Sequence, residues 1–288
     1  MALKWLFRPT NRRMRYLVGI FLAGLFCIQC IPSSQNDQGS VVIARSQTVN
    51  PEDVARKVLQ LAQTDQVALL EYYQKNYEHS YRDYTCTFLK KERLSGALQA
   101  EQEVQVKFSE SPFRVAMHWV RNAPIGDRVL YVEGKYNGHM VVRPASGLLR
   151  MLAGGAVFRK PDGADVMKNT LRPVNLFGFH RGMRELLGVY RQAKAAGDLK
   201  QTCGGIAMVD GRRAVVLERY LPPKDDYPAW KTVVYIDLEY LVPICIEGFD
   251  WDERLSSRYA YRNVRFNTGL TPDDFLPEAN EITLTAKK

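Results

Sequence analysis

Residues 104–119, VQVKFSESPFRVAMHW, decide the architecture. Val104, Val106 and Phe108 alternate with Gln105 and Lys107. After a break at Glu110, Ser111 and Pro112, Phe113, Val115, Met117 and Trp119 alternate with Arg114, Ala116 and His118. A side-chain period of two places every second residue on one face of a strand. The pattern extends outward in both directions. Period two sets in near Tyr84, Ser95-Gly96 is a hairpin signal, and Asn137-Gly138 is another, between VLYVEGKY and HMVVRP. Strands resume at 205–209, turn at Asp210-Gly211, and continue at 214–220, 232–238, 243–250 and 256–266. A short terminal strand is expected near 282–285.

Helices interrupt this sheet at two places. Asn50-Pro51-Glu52-Asp53 is a helix start, with a capping residue, proline at the first helical position and acids at the positive helix end. Val54, Val58 and Leu61 then fall on one face. A second helix is predicted over 65–77, with Val67, Leu70, Tyr73 and Tyr77 along one side. Residues 176–196 carry Phe179, Met183, Leu186, Leu187 and Tyr190 at helical spacing, ended by Gly197-Asp198. The glycine-rich segment 147–169 reads as loops with short strands. The pattern predicts a single α+β domain over residues 50–288, with about ten strands and three helices. So long an antiparallel sheet must curl into an open half-barrel, covered by its N-terminal and inserted helices.

Composition narrows the setting. The chain has 288 residues, 46% hydrophobic and 25% charged, which excludes a disordered, collagenous or multi-span membrane protein. Its formal charge is +9, but Lys4, Arg8, Arg12, Arg13 and Arg15 crowd the first 44 residues against a single acid, Asp37. The rest has 35 basic and 30 acidic residues, a modest net of +5 that gives no polyanion-binding signature. Nucleic acid is therefore not an expected partner. The basic start leads into YLVGIFLAGLFCI at 16–28, an apolar run of signal-peptide length, shorter than the ~20 residues of a spanning helix. Residues 1–44 are read as a signal peptide, with Val42-Ile43-Ala44 before a cut, or as an uncleaved membrane anchor with a polar linker. Either predicts export to the periplasm or cell envelope. Cys27-Ile28-Gln29-Cys30 lies in this apolar run, a poor setting for a reactive dithiol. Only Cys86, Cys203 and Cys245 follow it, which allows one disulfide at most.

Four stretches, DYTCTFLKKERLSGAL (83–98), VQVKFSESPFRVAMHW (104–119), DRVLYVEGKYNGHM (127–140) and YAYRNVRFNTGLTPDDF (259–275), resemble in order the domain of unknown function 1571 family. That family comprises exported bacterial proteins without an assigned activity. The same layout is similar, more remotely, to the lipoprotein carriers LolA and LolB. The matching parts are the strand at 84–94, the strand start Pro112-Phe113, the hairpin Glu133-Gly134-Lys135 and the closing segment 263–275. The resemblance implies a half-barrel whose concave face holds acyl chains under a helical lid. Ser111 stands where such carriers commonly have an arginine that helps control opening. Binding of a lipidated protein, another lipid, a peptide or an envelope partner all fit the resemblance.

The apolar face supplies the candidate site. Phe113, Val115, Met117, Trp119 and Tyr131 are expected either to line a hydrophobic cavity or to pack as core against the helices. A lipid or a lipidated protein is the expected partner, with no cofactor, no metal and no catalytic residue. His79, His118, His139 and His180 show no metal-ligand spacing. Asp250, Asp252 and Glu253 cluster between two strands, as an exposed acidic hairpin or as the carboxylates of a hydrolase. His79 with Cys86 is a conceivable thiol pair that nothing in the sequence brings together. A structural or sensory interaction domain with a fully packed interior is the alternative function.

Overall fold

The structure is a computed structural model that describes residues 50–284. The segment 1–44, with Cys27 and Cys30, lies outside the described residues. Helix α1 (Pro51–Thr64) leads through Asp65 into α2 (Gln66–Ser80). Strands β1 (Asp83–Leu94), β2 (Ala97–Leu98), β3 (Gln102–Ser109), β4 (Arg114–Arg121), β5 (Gly126–Val132) and β6 (Met140–Pro144) follow. Next come α3 (Gly147–Ala153), β7 (Val157–Arg159), α4 (Ala164–Met167) and α5 (Phe179–Ala195). The chain then returns through β8 (Lys200–Val209), β9 (Arg212–Tyr220), β10 (Lys231–Asp237), β11 (Pro243–Phe249) and β12 (Leu255–Phe266). It continues into 3-10 turns at Pro272–Phe275 and Glu278–Asn280.

The helix starts follow the capping chemistry. Asn50 accepts a hydrogen bond from the Glu52 amide at 3.1 Å. Asp65 ends α1 and caps α2, accepting from the Val67 and Ala68 amides at 3.0 and 3.1 Å. These bonds, the Ala68 amide foremost, hold its carboxyl below the usual carboxylate range.

All the strands join one antiparallel sheet in the order β7-β6-β5-β4-β3-β1-β12-β11-β10-β9-β8, with β2 paired to β1. The sheet is twelve-stranded and open, with β7 and β8 as its edges. Strands β2 and β7 are too short for a period to show, and β7 falls in the segment 147–169, where short strands are expected. The first and last strands of the chain, β1 and β12, lie side by side at its centre, with Phe88 opposite Tyr261 and Lys90 opposite Tyr259. The turns Ser95-Gly96 and Asp210-Gly211 adopt positive φ at both residues, the conformation that tight hairpins demand.

One apolar cluster runs along the inner face from β6 to β9 and includes α1, α2 and α5. A sheet this wide that shares one core with three helices must wrap around them. The outer face of β4 to β6 carries a second, smaller core in which Ala116, Leu130, Val132 and Val141 meet Ala156, Phe275 and Ile282.

Two expectations need correction. Residues 282–284 form no strand: Ile282 is buried against the outer face, with its amide bonded to the Pro277 carbonyl, and the Thr283 carbonyl accepts from the Ala156 amide. Glu281, at positive φ, clamps the segment by pairing with Arg128 at 2.8 Å and Arg143 at 3.2 Å. Residues 147–169 hold two short helices as well as β7. Leu, Met, Ala and Arg in GLLRMLA are strong helix formers, and that preference prevails over the flanking glycines.

Candidate functional site

The inner face is built row by row from strand register. Val104 lies opposite Trp119, Val106 opposite Met117 and Phe108 opposite Val115. Met117 in turn lies opposite Val129, and Val115 opposite Tyr131. Phe113, Val115, Met117, Trp119 and Tyr131 are thereby brought side by side, on two adjacent strands and one face. Phe113 and Val115 are 1% and 0% exposed. Met117 and Tyr131 are buried, and Trp119 is half-buried with its indole N–H donating to Gln102 Oε1 at 2.8 Å. Phe113 meets Phe108 and Tyr131 edge-to-face, with centroids 5.2 and 5.8 Å apart.

Helix α5 closes this face. Phe179, Met183, Leu186 and Leu187 are buried against the sheet, preceded by Phe177, which meets Phe88 edge-to-face. Phe179 packs on Tyr84 at 5.0 Å and Tyr261 at 4.5 Å between centroids. The approach is close enough to require a glycine. Gly178 has φ +102°, and a Cβ there would stand 2.6 Å from the Phe108 ring. The Arg181 guanidinium lies 3.8 Å over the Phe113 ring and donates to Glu133 Oε1 at 2.9 Å, at the rim.

The ties of α5 to α2 are of a different kind. Arg191 pairs with Glu71, Lys194 with Asp65 and His180 with Glu78, and Tyr190 donates to Gln66 Oε1. Helix α2 is in turn bonded to strand β8 near one end and to the β3–β4 turn near the other. Gln66 Nε2 donates to the Thr202 carbonyl at 2.7 Å, and Tyr77 donates to Glu110 Oε1 at 2.6 Å. Burial pushes the Glu110 carboxyl up, against the opposing effects of that bond and of His180 and Arg181.

Toward one end the inner face turns polar. Lys90 and Glu92 continue the inward series Tyr84, Cys86, Phe88 along β1. They pair at 3.1 Å, with the Tyr259 hydroxyl donating to Glu92 at 2.6 Å. On β9, Arg219 continues the inward series Val215, Leu217, opposite Thr232 of β10. Sequence reasoning passed over Arg219, although its parity with Leu217 already pointed it inward. Two clefts indent the surface elsewhere. One, of about 250 Å³, lies between Asp65, Lys194 and Gln201, and one, of about 90 Å³, lies by Pro112, Glu133 and Phe275.

The other candidate groups are dispersed. Asp250 sits in the β11–β12 turn. Its slight burial raises its carboxyl, but bonds from the Arg254 amide and guanidinium prevail and hold it low. Asp252 pairs with the same arginine. Cys86 is buried in the apolar face, which pushes its thiol far up, while His79 is exposed and bonded to the Lys75 carbonyl. Cys86, Cys203 and Cys245 are free thiols. Among the described residues no cluster of three His, Cys, Asp or Glu side chains has metal-binding geometry, and no helix is long and apolar enough to cross a membrane.

Residues 81–283 match the sequence profile of the family described as Protein of unknown function (DUF1571). The chain is a member of the DUF1571 family. No curated protein matches this DUF1571 chain. Among solved structures it is similar to a chain of the Pseudomonas aeruginosa MucA/MucB complex, at 15% identity and TM-score 0.43, over 77% of this chain and 65% of that one. It is also similar to the Mycobacterium tuberculosis lipoprotein LppX, at 10% identity and TM-score 0.41, over 72% of this chain and 99% of that one. A LolA superfamily protein from Nitrosomonas europaea is similar at 10% identity and TM-score 0.31, over 74% of this chain and 97% of that one.

Proposed function

We propose that this DUF1571 protein is an exported, non-catalytic binding module of the cell envelope. Its single α+β domain takes up the acyl chain of a lipid or lipidated protein between the inner sheet face and α5. Residues 1–44 serve as the export signal or anchor. One observation carries this reading: the seam between the sheet and Phe179, Met183, Leu186 and Leu187 of α5 is apolar, while the hydrogen bonds and ion pairs of α5 go to α2 or to the rim, and Arg219 under Tyr190 is a polar exception. Dispersion and hydrophobic contacts are non-directional, so an acyl chain can replace Phe179, Met183, Leu186 and Leu187 on the sheet, while Tyr190 marks the polar end of the seam with its Gln66 bond and its Arg219 contact. Phe113, Val115, Met117, Trp119 and Tyr131 would then contact the chain.

Native mass spectrometry with lipid extraction tests this on the protein recovered from the envelope. The expected result is a co-purifying lipid that is lost in Trp119→Asp while the variant keeps its fold by circular dichroism; unfolding of the variant would instead identify Trp119 as core. A clean apo mass that gains nothing from added lipids would overturn it. A second reading is an interaction domain with a permanently packed interior. The near-complete burial of Phe113 and Val115 and the outward position of both clefts favour it.

A further inference from the structure

The inner face leaves the Tyr73 and Tyr84 hydroxyls and two donors of Arg219 without partners, and of these Arg219 alone carries a charge. It is 2% exposed, on β9. Its Nη2 donates to Thr232 Oγ1 at 2.8 Å, and its guanidinium lies 4.9 Å over the Tyr190 ring of α5. Among the described residues, nothing accepts a hydrogen bond from its Nε or its Nη1. The adjacent acid, Glu218, points to the opposite face, where Lys231 pairs with it at 2.8 Å. Burial pushes the Arg219 guanidinium down to about 10; Tyr190 opposes this and the more distant charge of Arg172 adds to it. The group is a buried cation without an ion-pair partner among the described residues, held only by Thr232 and the Tyr190 ring. Such an arrangement is costly unless an anion completes it.

The row behind Arg219 gives the anion its direction. Leu217, Val234 and Ile246 lie one step along the neighbouring strands, inside the apolar cluster. Across the next row lie Thr232, Gly248 and Ser257, small residues between Arg219 and Glu92. The carboxylate of Glu92 is already engaged by Lys90 and Tyr259, so it leaves Arg219 to other partners. Packed apolar side chains thus lead up to a guanidinium with two open donors, Nε and Nη1, whose planar fork matches a carboxylate or phosphate. We propose that Arg219, with Thr232 beside it, binds the oxyanion headgroup of the acyl ligand, so that the protein selects single-chain anionic lipids over neutral ones. This rests on the acyl-binding reading above and assigns its headgroup chemistry.

Titration of the full chain with four probes tests both layers separately: palmitate, hexadecanol, acetate and inorganic phosphate. The expected result is that palmitate binds at least tenfold tighter than hexadecanol, and that acetate and phosphate at equal concentration do not raise the melting temperature. In Arg219→Met the preference for palmitate disappears while hexadecanol affinity is unchanged. Without ligand that variant melts no lower than the wild type, because an unpaired buried cation has been removed. If Arg219→Met does not fold, Arg219→Lys keeps the charge but loses the fork, and the preference should shrink without vanishing. Equal binding of palmitate and hexadecanol by the wild type, or a preference that survives in Arg219→Met, overturns the headgroup assignment and leaves the acyl reading standing. Stabilisation by acetate or phosphate that depends on Arg219, without binding of hexadecanol or palmitate, overturns the acyl reading and with it the lipid selectivity. Binding of none of the four overturns both.

Discussion

Helices α2 and α5 lie side by side over the same sheet, yet they are held in different ways. The α2 helix is bonded to strand β8 near one end, through Gln66 to the Thr202 carbonyl, and to the β3–β4 turn near the other, through Tyr77 to Glu110. The α5 helix meets the sheet through Phe179, Met183, Leu186 and Leu187, its charged side chains reach α2 or the rim, and Tyr190 lies against Arg219 of the sheet. Directional bonds fix a helix at one register, because leaving a buried partner unsatisfied is expensive. An apolar seam is strong but indifferent to what fills it. The difference teaches that stability and exchangeability can be assigned to neighbouring helices of one cover: α2 as the frame and α5 as the movable part.

Three substitutions break or sharpen this comparison. The largest effect is expected from Phe179→Ala, which empties a buried site ringed by Tyr77, Tyr84, Tyr261 and Phe266. Urea unfolding should show a loss of roughly 3–5 kcal/mol, as for other buried phenylalanines. A loss under about 1 kcal/mol would mean that the α5 seam is not close-packed. Next comes Gly178→Ala, whose methyl would collide with the Phe108 ring at a positive φ that alanine resists. A cost of about 1–3 kcal/mol is expected, together with faster ligand exchange as α5 is pushed off the sheet. Unchanged melting would show that α5 already sits away from Phe108.

The smallest effect tests the frame. Asp65→Ala removes the cap of α2 and the Lys194 pair, with an expected cost of about 1 kcal/mol at neutral pH. Because the folded carboxyl is held below its usual value, its contribution is present above the ordinary carboxylate pKa. It is lost as pH falls through the lowered folded value. Stability curves of wild type and variant should therefore converge in acid. A gap that persists at the lowest pH would assign the effect to something other than the ionised cap.

Much of this frame is legible in the sequence. Asn50-Pro51-Glu52 marks the start of α1, period two identifies β3 and β4 with their shared inner face, and Asp210-Gly211 marks a hairpin. These are local signals, each decided by backbone sterics or by alternation within one strand. The outer core at Phe275 and Ile282 was not legible, because Leu270, Phe275 and Ile282 follow no period and their burial depends on β4–β6, far away in sequence. Arg219 illustrates the limit within the site. Its parity with Val215 and Leu217 points it inward, but no local pattern says that the strands around it bring no acid to meet it. The five residues on β4 and β5 could be picked from alternation alone, whereas their closure by α5 depends on Gly178 and Phe108, seventy residues apart in the chain.

The central claim is that α5 gives way to an acyl chain while α2 stays. Hydrogen–deuterium exchange of the full chain, with and without palmitate, tests it most directly. The account predicts that amides of Phe179–Ala195 lose protection when palmitate binds, while those of Gln66–Ser80 keep theirs. Bound palmitate with α5 as protected as before, or α2 and α5 loosening together, would contradict it.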